Sequence, residues 1–264
     1  MKPSIPCFLA IALAACSASA ADKAPAPSPH PLAGQHFIPS DVDWPNPLYS
    51  TTFDSTATLA DWKLEGGKRM AIENGRLVLE SEFPSGSAKL TETSNHLVCW
   101  LKKEIPADFL LEFKVRPQNR KQGLNIVFFN ARGLQGEGIF DPALSPRNGL
   151  FRQYHSGDLN NYHVSYWAGD RGTANLRKNR GFALVATGPD LVTTAPEASF
   201  QTVRLYKRGG VIRVTVDDTI SVAFDDDGKT WGPIWKHAGW LSLRQMAHTI
   251  RCEYDDLSVF PLQP

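Results

Sequence analysis

Residues 148–182 read NGLFRQYHSGDLNNYHVSYWAGDRGTANLRKNRGF and carry a clear strand signal. Side chains alternate in character over 150–155, the turn-forming residues 156–158 (SGD) follow, and the alternation resumes over 162–167. A period of two residues, interrupted by a short polar turn, predicts a β-hairpin. Pairing its strands around the turn would place Gln153, His163, Ser165 and Trp167 on one face, and Arg152, Tyr154, Tyr162 and Tyr166 on the other.

The same periodicity extends through most of the chain on both sides of this hairpin. In residues 109–117, apolar Leu111, Phe113 and Val115 alternate with charged residues, which predicts a strand with one buried face. Asn74-Gly75 lies between two alternating runs and is a strong signal for a two-residue hairpin turn. Further strands are predicted over 49–55, 96–101, 124–130, 181–186, 200–206, 211–216, 220–224, 240–244 and 250–260.

Short strands, closely spaced turns and almost no helical periodicity predict an all-β sandwich of two antiparallel sheets. We expect its first and last strands, near 49–55 and 250–260, to lie side by side. Residues 131–147 hold three glycines and two prolines, which exclude a regular strand, so we predict a long functional loop there. Residues 226–231, DDGKTW, match most of an Asp-box (D-x-G-x-T-W), which we interpret as a structural hairpin turn.

The N-terminal region predicts export. Lys2 precedes an apolar run that is too short to span a bilayer, so residues 1–20 are predicted to be an export signal. Residues 13–16, LAAC, resemble a lipobox, which would place a lipid anchor on Cys16, whereas 18–20, ASA, fit ordinary cleavage before Ala21. Residues 21–47, rich in Pro, Ala and Ser, predict an extended tether, and 48–264 form one domain. We expect an outer-membrane lipoprotein or a periplasmic or extracellular protein.

Charge and cysteine content narrow the function classes. The formal net charge of the 264-residue chain is +1, with acids and bases intermixed, so no nucleic-acid partner is predicted. Beyond the export signal, Cys99 and Cys252 either form a disulfide or remain as two buried thiols. We predict no cofactor and no metal in the functional site. The sequence has no EF-hand-like loop. A structural calcium ion bound near the surface acids is kept as an alternative.

The titratable residues of 148–182 suit chemistry on an acidic sugar. Histidine titrates near neutrality, so His155 and His163 are candidates for proton transfer, as is the phenol of Tyr166. The planar guanidinium of Arg177 is the candidate for binding a uronate carboxylate. The predicted substrate-binding residues are Gln153, Tyr154, Trp167, Lys178, Asn179, Arg244, Gln245 and Asn125.

The tripeptide Arg177-Lys178-Asn179 divides between two faces if it lies on a strand. Arg177 and Asn179 would then point the same way and serve one site. Lys178 would face solvent or the opposite sheet, where its charge needs a partner.

Several motifs resemble the bacterial DUF1961 family of YesU-like proteins. They are HLVCW at 96–100, FFNARG at 128–133, GEGIFDP at 136–142, QYHSGDLNNYHVSYW at 153–167, NLRKNRGFALVATGPD at 175–190 and GWLSLRQMAHTIRCEYDDLSV at 239–259. The resemblance implies a concanavalin A-like jelly roll. It also implies an association with the breakdown of plant or algal polysaccharides, notably acidic rhamnose-containing pectins.

Three functions fit these residues, in decreasing order of preference. The first is a polysaccharide lyase that cleaves a rhamnogalacturonan-like chain next to a uronic acid. The second is a non-catalytic glycan-binding protein in which Tyr154, Tyr166 and Trp167 stack on sugar rings. A deep groove holding both histidines and Arg177 would favour an enzyme, and a shallow aromatic face would favour binding. The third is a glycosidase, with candidate carboxylates Glu112, Glu137, Asp141 and Asp158.

Overall fold

The chain folds into two stacked antiparallel sheets. The computed structural model describes residues 27–82 and 95–264. Its strands are β1 (Tyr49–Thr51), β2 (Trp62–Gly66), β3 (Arg69–Glu73), β4 (Arg76–Glu80), β5 (Leu97–Leu101), β6 (Phe109–Pro117), β7 (Leu124–Gly133), β8 (Leu159–Ala168), β9 (Thr173–Asn179), β10 (Ala183–Pro189), β11 (Gln201–Arg208), β12 (Val211–Val216), β13 (Thr219–Asp225), β14 (Trp240–Gln245) and β15 (Arg251–Pro261). Short 3-10 helices span Thr56–Asp61 and Ala247–Thr249.

The strand order confirms the predicted all-β sandwich. The eight-stranded sheet runs β13-β12-β11-β6-β15-β4-β3, with β1 beside β15, and the seven-stranded sheet runs β10-β9-β8-β7-β14-β5-β2. Tyr49 lies opposite Val259, so the first and last strands pair as expected. Asn74 and Gly75 join β3 to β4 with positive φ angles of 51° and 68°, which suit a two-residue hairpin turn.

The main core lies between the two sheets and follows from the alternation in the strands. Phe113 on β6 is fully buried and packs against Tyr166 and Tyr254, with ring centroids 5.6 and 5.9 Å away. Truncating such a buried aromatic ring costs about 3–5 kcal/mol of stability, because a cavity is left behind. The inward-facing residues of both sheets thus hold the sandwich together.

A second apolar cluster lies on the outer face of the seven-stranded sheet. Trp100 and Phe128 point away from the core and stack against Tyr154, which belongs to the segment between β7 and β8. Glu65 on β2 fixes that segment, because its carboxylate accepts hydrogen bonds from the Tyr154 hydroxyl at 2.9 Å and from Arg147 at 2.9 and 3.1 Å. Residues 134–158 therefore cover part of this face.

One strand prediction is wrong. Residues 150–155 do not pair with β8 but end in a single helical turn, α1 (Arg152–His155). The Tyr154 ring is drawn into the cluster beneath the loop, and the amide of Tyr154 bonds to the carbonyl of Phe151 at 3.0 Å. The hairpin partner of β8 is β9, across the turn at 169–172. A four-residue helix is too short for its periodicity to be distinguished from that of a strand.

The described part of the predicted tether packs on the domain. Phe37 and Val42 contact the cluster formed by Leu110, Tyr206 and Phe260 on the eight-stranded sheet, and Val42 forms a β-bridge with Leu262. These apolar side chains explain why residues 27–47 do not extend freely into solvent. The predicted export signal and the lipid anchor at Cys16 lie outside the described residues. Within 27–82 and 95–264, no helix is long and apolar enough to cross a membrane.

The two domain cysteines are free and buried. Cys99 lies on β5 of one sheet and Cys252 on β15 of the other, where the Cys252 thiol accepts a hydrogen bond from the Asn125 amide at 3.2 Å. Burial raises the pKa of the Cys252 thiol to about 12. Of the two alternatives from the sequence, the structure selects two buried thiols.

Candidate functional site

The β8–β9 pair sets out the candidate site on the outer face of the seven-stranded sheet. His163 lies directly opposite Arg177, and Asn161 lies directly opposite Asn179. Because side chains alternate along a strand, these four residues point outward, while Tyr162 points into the core. The prediction that Arg177 and Asn179 lie on one face of the strand and Lys178 on the other is confirmed.

Two connecting segments complete what we term the His/Arg cluster: Phe151, His155, His163, Arg177, Phe182 and Arg244. The helical turn α1 places the His155 ring 4.2 Å from the Phe182 ring and 4.6 Å from the Phe151 ring, measured between centroids. The amide of Gly181 donates to the carbonyl of His155 at 3.1 Å, which ties the β9–β10 turn to α1. The cluster is thus built from three strands (β8, β9 and β14), one helical turn and one strand connection.

Phe182 adopts an unusual backbone conformation at the tip of the β9–β10 turn. Its φ angle is 60°, in the left-handed region that bulky residues rarely occupy. The Arg177 guanidinium stabilises this conformation of Phe182. The guanidinium donates a hydrogen bond to the Phe182 carbonyl at 2.8 Å and lies 3.9 Å from the centre of the Phe182 ring. Strained residues of this kind cluster at functional sites, so Phe182 supports the choice of this surface.

A chain of side-chain amides orients His163. The Asn179 amide nitrogen lies 2.7 Å from the Asn161 side-chain oxygen and 2.8 Å from Nδ1 of His163. Asn161 in turn donates to the Tyr154 carbonyl at 2.8 Å. The nitrogen of the Asn161 amide therefore faces Tyr154, and its oxygen faces Asn179. Asn179 therefore donates to Nδ1, and neutral His163 carries its ring proton on Nε2.

Both histidines are held in the neutral form. Burial, reinforced by the positive charges of Arg244 and Arg177, lowers the pKa of His155 from 6.5 to about 4. Burial and then Arg177 lower the pKa of His163 well below its ordinary value. At neutral pH each ring keeps one unprotonated nitrogen, and His155, the more exposed of the two, is the better placed to accept a proton.

The cations of the cluster lack counter-ions within the part of the chain that the structure describes. Arg244 is fully buried; it donates to the Gly149 carbonyl at 3.1 Å, and its guanidinium carbon lies 4.4 Å from the Phe151 ring centre. Burial lowers the pKa of Arg244 to about 9. Among the residues that the structure describes, neither Arg177 nor Arg244 forms an ion pair with a carboxylate. Uncompensated buried charge is costly, so the cluster is well suited to an anionic ligand.

The basic surface continues along β8 towards the β8–β9 turn. Arg171 donates to the Ser165 hydroxyl at 2.7 Å and to the Thr173 carbonyl at 2.8 Å. Burial lowers the pKa of Arg177, and the positive charge of Arg171 lowers it further.

Several predicted aromatic platforms are inside the protein. Tyr166 and Trp167 are fully buried in the core, where the Trp167 indole donates to the Arg120 carbonyl at 3.1 Å. Tyr154 is fully buried beneath Arg244, with its hydroxyl bonded to Glu65. None of the three can stack on a sugar. Burial also raises the pKa of Tyr166 far above its usual range, which removes it as a proton donor to substrate.

Lys178 was predicted to bind substrate, and the structure places it elsewhere. Its ammonium group lies 2.7 Å from the Asp226 carboxylate and 2.8 Å from the Gly232 carbonyl, with 3% of the Lys178 side chain exposed. Asp226 begins the Asp-box turn, and the next residue, Asp227, accepts hydrogen bonds within that turn. Lys178 therefore joins β9 to a structural turn, as an inward-facing charge requires.

Three further predicted binding residues hold the fold together. Asn125 is fully buried and donates to the Tyr254 hydroxyl at 2.9 Å, and Gln245 is fully buried and donates to the Ser81 hydroxyl at 2.8 Å. Gln153 lies on the outside of α1, where its side-chain oxygen accepts from the Asn148 amide at 3.0 Å. Of the predicted set, the structure brings together His155, His163, Arg177, Asn179 and Arg244.

The glycosidase carboxylates are dispersed. Glu112 lies on the eight-stranded sheet, paired with Arg204, whereas Glu137, Asp141 and Asp158 lie at separate points of the loop before β8 and bond to backbone amides. In the described ranges, no group of three or more His, Cys, Asp or Glu residues is arranged to hold a metal ion.

Sequence reasoning missed Phe151, Phe182 and Asn161. Their roles depend on contacts between segments, which strand periodicity does not reveal. The run at 177–182, RKNRGF, carried one signal, because an isolated glycine in a strand pattern suggests a bulge or a close approach of the backbone.

The fold and site define a jelly-roll protein with an uncompensated basic and aromatic cluster on one sheet face. The chain belongs to the DUF1961 family, a domain of unknown function, whose model matches residues 46–259. It is similar to the uncharacterized protein YesU of Bacillus subtilis (strain 168), with 32% identity over 219 residues that cover 80% of this chain and 94% of YesU.

Solved structures support the same fold. A Bacillus subtilis protein of unknown function with a galectin-like fold matches with a TM-score of 0.72 and 30% identity, covering 83% of this chain and 97% of that one. The laminarinase of Flavobacterium sp. UMI-01 matches at 0.54 with 12% identity, covering 82% and 100%. SCLam, a non-specific endo-β-1,3(4)-glucanase, matches at 0.53 with 16% identity, covering 90% and 96%. At such low identities the two enzymes show a shared fold, and the predicted jelly roll is confirmed.

Proposed function

We propose that this protein acts on uronate-containing glycans at the His/Arg cluster, as a lyase that cleaves next to the uronic acid. The observation that carries the proposal is the convergence of Arg177 and Arg244, without carboxylate partners in the described residues, on the neutral His155 and His163. An acidic sugar supplies the missing negative charge. A neutral histidine supplies the base that β-elimination needs.

Each residue has a distinct role in this proposal. Arg177 binds the uronate carboxylate, which makes the C5 proton more acidic. His155 takes that proton, the C4–O bond breaks, and a double bond forms between C4 and C5. The leaving oxygen then receives a proton, which His155 can return. His163, oriented by Asn179, presents its Nε2 proton as a hydrogen-bond donor behind Arg177.

The residues of the cluster differ in their exposure to solvent. His163 is only 2% exposed, whereas Phe151, His155, Arg177 and Phe182 are half-buried. Substrate would therefore meet Arg177 and His155 first.

Product absorbance tests the lyase directly. The protein is incubated with rhamnogalacturonan, polygalacturonate and other uronate polymers, and the ultraviolet absorbance of unsaturated uronates is followed. We expect an increase on at least one polymer that is lost in His155→Ala. No increase on any of them would rule out the lyase.

Non-catalytic glycan binding is the second candidate, favoured by the half-exposed Phe151 and Phe182 rings beside Arg177. Aromatic rings next to a cation suit a sugar that has one apolar face and one acidic group. Retention of the protein on an immobilised uronate glycan, without unsaturated product, would identify this function.

We further propose that the protein is exported, with a lipid anchor at Cys16 as one of the two processing routes. The apolar run and the LAAC motif in the sequence support this. Metabolic labelling with a fatty-acid analogue tests the anchor. Label that is incorporated in the natural chain and lost in Cys16→Ala is expected, whereas an unlabelled, cleaved protein would favour the other route.

A further inference from the structure

A separate cavity lies at one end of the sandwich, where the chain crosses between the sheets. It has a volume of about 470 Å³, and its lining includes Gln118, Asn119, Arg120, Gln122, Glu197 and Ile250. The lining comes from the β6–β7 connection, the segment before β11 and the turn that leads into β15. The adjoining residue Leu124 pairs with Ala168, five positions along β8 from His163. At about 3.4 Å per strand residue, roughly 17 Å separates the cavity from the His/Arg cluster.

Hydrogen bonds hold the floor of this cavity in place. Arg120 is 4% exposed, and its guanidinium donates to the carbonyls of Val192, at 3.1 Å, and Ser199. The Arg120 carbonyl accepts from the Trp167 indole, which anchors the loop from below. Gly123 ends the loop with a φ angle of 129°, and a side chain there would collide with Trp167. The buried Trp167 thus supports a binding loop, although it cannot touch a sugar itself.

The rim combines planar amides with an exposed apolar residue. Gln118, Asn119 and Gln122 are all exposed around the floor. Ile250 is 40% exposed and has a φ angle of 63°, a conformation that is strained for a β-branched residue. Amide groups can donate and accept at once, as sugar hydroxyls do, and an apolar side chain suits the C–H face of a sugar ring.

The charges of the cavity are balanced, which argues for a neutral ligand. Arg120 and Glu197 contribute one charge of each sign. A second cavity of about 280 Å³ shares Gln118 and Glu197 with the first, and its cations Arg116 and Arg251 both pair with Glu253. Because each cavity is lined by a carboxylate-bearing residue as well as by arginine, little net field remains to attract an anion. This differs from the His/Arg cluster, where neither Arg177 nor Arg244 forms an ion pair with a carboxylate of the described residues.

We infer that this end cavity is a second glycan-binding site that takes a neutral sugar residue. Gln118, Asn119 and Gln122 hydrogen-bond its hydroxyls, Ile250 contacts its apolar face, and the second cavity receives the next residue of the chain. The site is independent of the proposed lyase chemistry. It would let the protein hold a neutral part of a glycan while the cluster engages an acidic part.

Nuclear magnetic resonance titration tests this site in the whole protein. Neutral methyl hexosides, methyl pentosides and neutral trisaccharides are added, and the side-chain amide signals of Gln118, Asn119 and Gln122 and the indole signal of Trp167 are followed. We expect saturable shifts with at least one of these sugars. Gln118→Ala/Gln122→Ala should bind at least tenfold more weakly, whereas Lys121→Ala, an exposed change in the same loop, should bind normally.

Two comparisons separate this inference from the proposed lyase. Arg177→Lys should leave binding of the neutral sugar unchanged, even if every uronate polymer proves inert. The inference is overturned if no neutral sugar gives saturable shifts or if the double variant binds as well as the natural protein. Tighter binding of a methyl uronide than of its neutral counterpart at these amides would also overturn it.

Discussion

At the residue scale, the proposed recognition of an acidic sugar depends on the Arg177 guanidinium. One of its nitrogens is committed to the Phe182 carbonyl, and the group lies over the Phe182 ring, so the planar fork is fixed before any ligand arrives. Fixing a recognition group in advance lowers the entropy cost of binding. Lysine could keep the charge at this position, but it could not keep the fork or the stacking.

Arg177→Lys should therefore weaken binding of a uronate oligosaccharide by roughly 10- to 100-fold, because charge-assisted hydrogen bonds contribute about 1.5–3 kcal/mol. Calorimetry on the natural and variant proteins measures the change. Arg180→Lys is the matched control, since Arg180 is exposed in the same turn. Equal, small effects of both changes on well-folded proteins would show that Arg177 is structural.

His155 should titrate near pH 4, since burial and the neighbouring arginines lower its pKa to about 4. Between pH 6.5 and 4 the unfolded chain binds a proton there and the folded protein does not. His155 thus contributes stability above pH 6.5 that is lost as the pH falls towards 4. The C2 proton of its ring, followed by nuclear magnetic resonance, reports the midpoint directly. In Arg177→Gln the midpoint should rise, and a midpoint near 6.5 in the natural protein would contradict the account.

The residues show where sequence reasoning succeeds and where it stops. Arg177, Lys178 and Asn179 could be assigned to faces because β9 is regular there. Tyr166 shares the core face with Tyr162, as the alternation predicts, but Trp167 could not be assigned, because the register of β8 against β7 shifts between Ser165 and Trp167 and breaks the two-residue period. The sequence predicts a strand position for His155, whereas in the structure His155 lies in α1 and reaches the cluster from there.

At the element scale, a buried ion pair fixes the site strand β9. Lys178 and Asp226 are 3% and 0% exposed, and Asp226 also accepts from the Tyr162 hydroxyl at 2.6 Å. Lys178→Met should cost about 3–5 kcal/mol of unfolding free energy, because the Asp226 charge stays buried without a cation.

A double-mutant cycle with urea unfolding measures this interaction. Lys178→Met/Asp226→Asn removes both charges. Its loss of unfolding free energy should be smaller than the summed losses of the two single variants by at least about 1 kcal/mol. Additive costs would mean that the two charges do not interact, contrary to the 2.7 Å contact between them.

The loop before β8 is held by the Glu65 contacts with Arg147 and Tyr154. Arg147→Met should destabilise the protein by about 3–5 kcal/mol and speed proteolysis within 134–150, because the buried Glu65 loses its cation. Arg152→Met on exposed α1 is the control and should change neither. Unchanged proteolysis in Arg147→Met would show that the loop is held by its apolar contacts alone. The sequence indicated this loop through its glycines and prolines, but its docking depends on Glu65, distant in sequence.

At the scale of the whole molecule, the two sheets have different outer faces. The N-terminal segment packs on the eight-stranded sheet, and the 134–158 loop covers one side of the seven-stranded sheet. On the outer face of the seven-stranded sheet, basic and aromatic side chains meet over strands β8 and β9. Strand alternation predicted the sandwich, but which parts of its faces become covered depends on packing between distant segments.

The central claim is that the His/Arg cluster recognises the carboxylate of an acidic glycan. Calorimetric titration with a uronate oligosaccharide and with the same oligosaccharide after reduction of its carboxyl groups tests this most directly. The account predicts that the natural protein binds the acidic form at least tenfold more tightly than the reduced form, and that Arg177→Lys loses this preference. Equal affinity for both forms, or a preference that persists in Arg177→Lys, would contradict it.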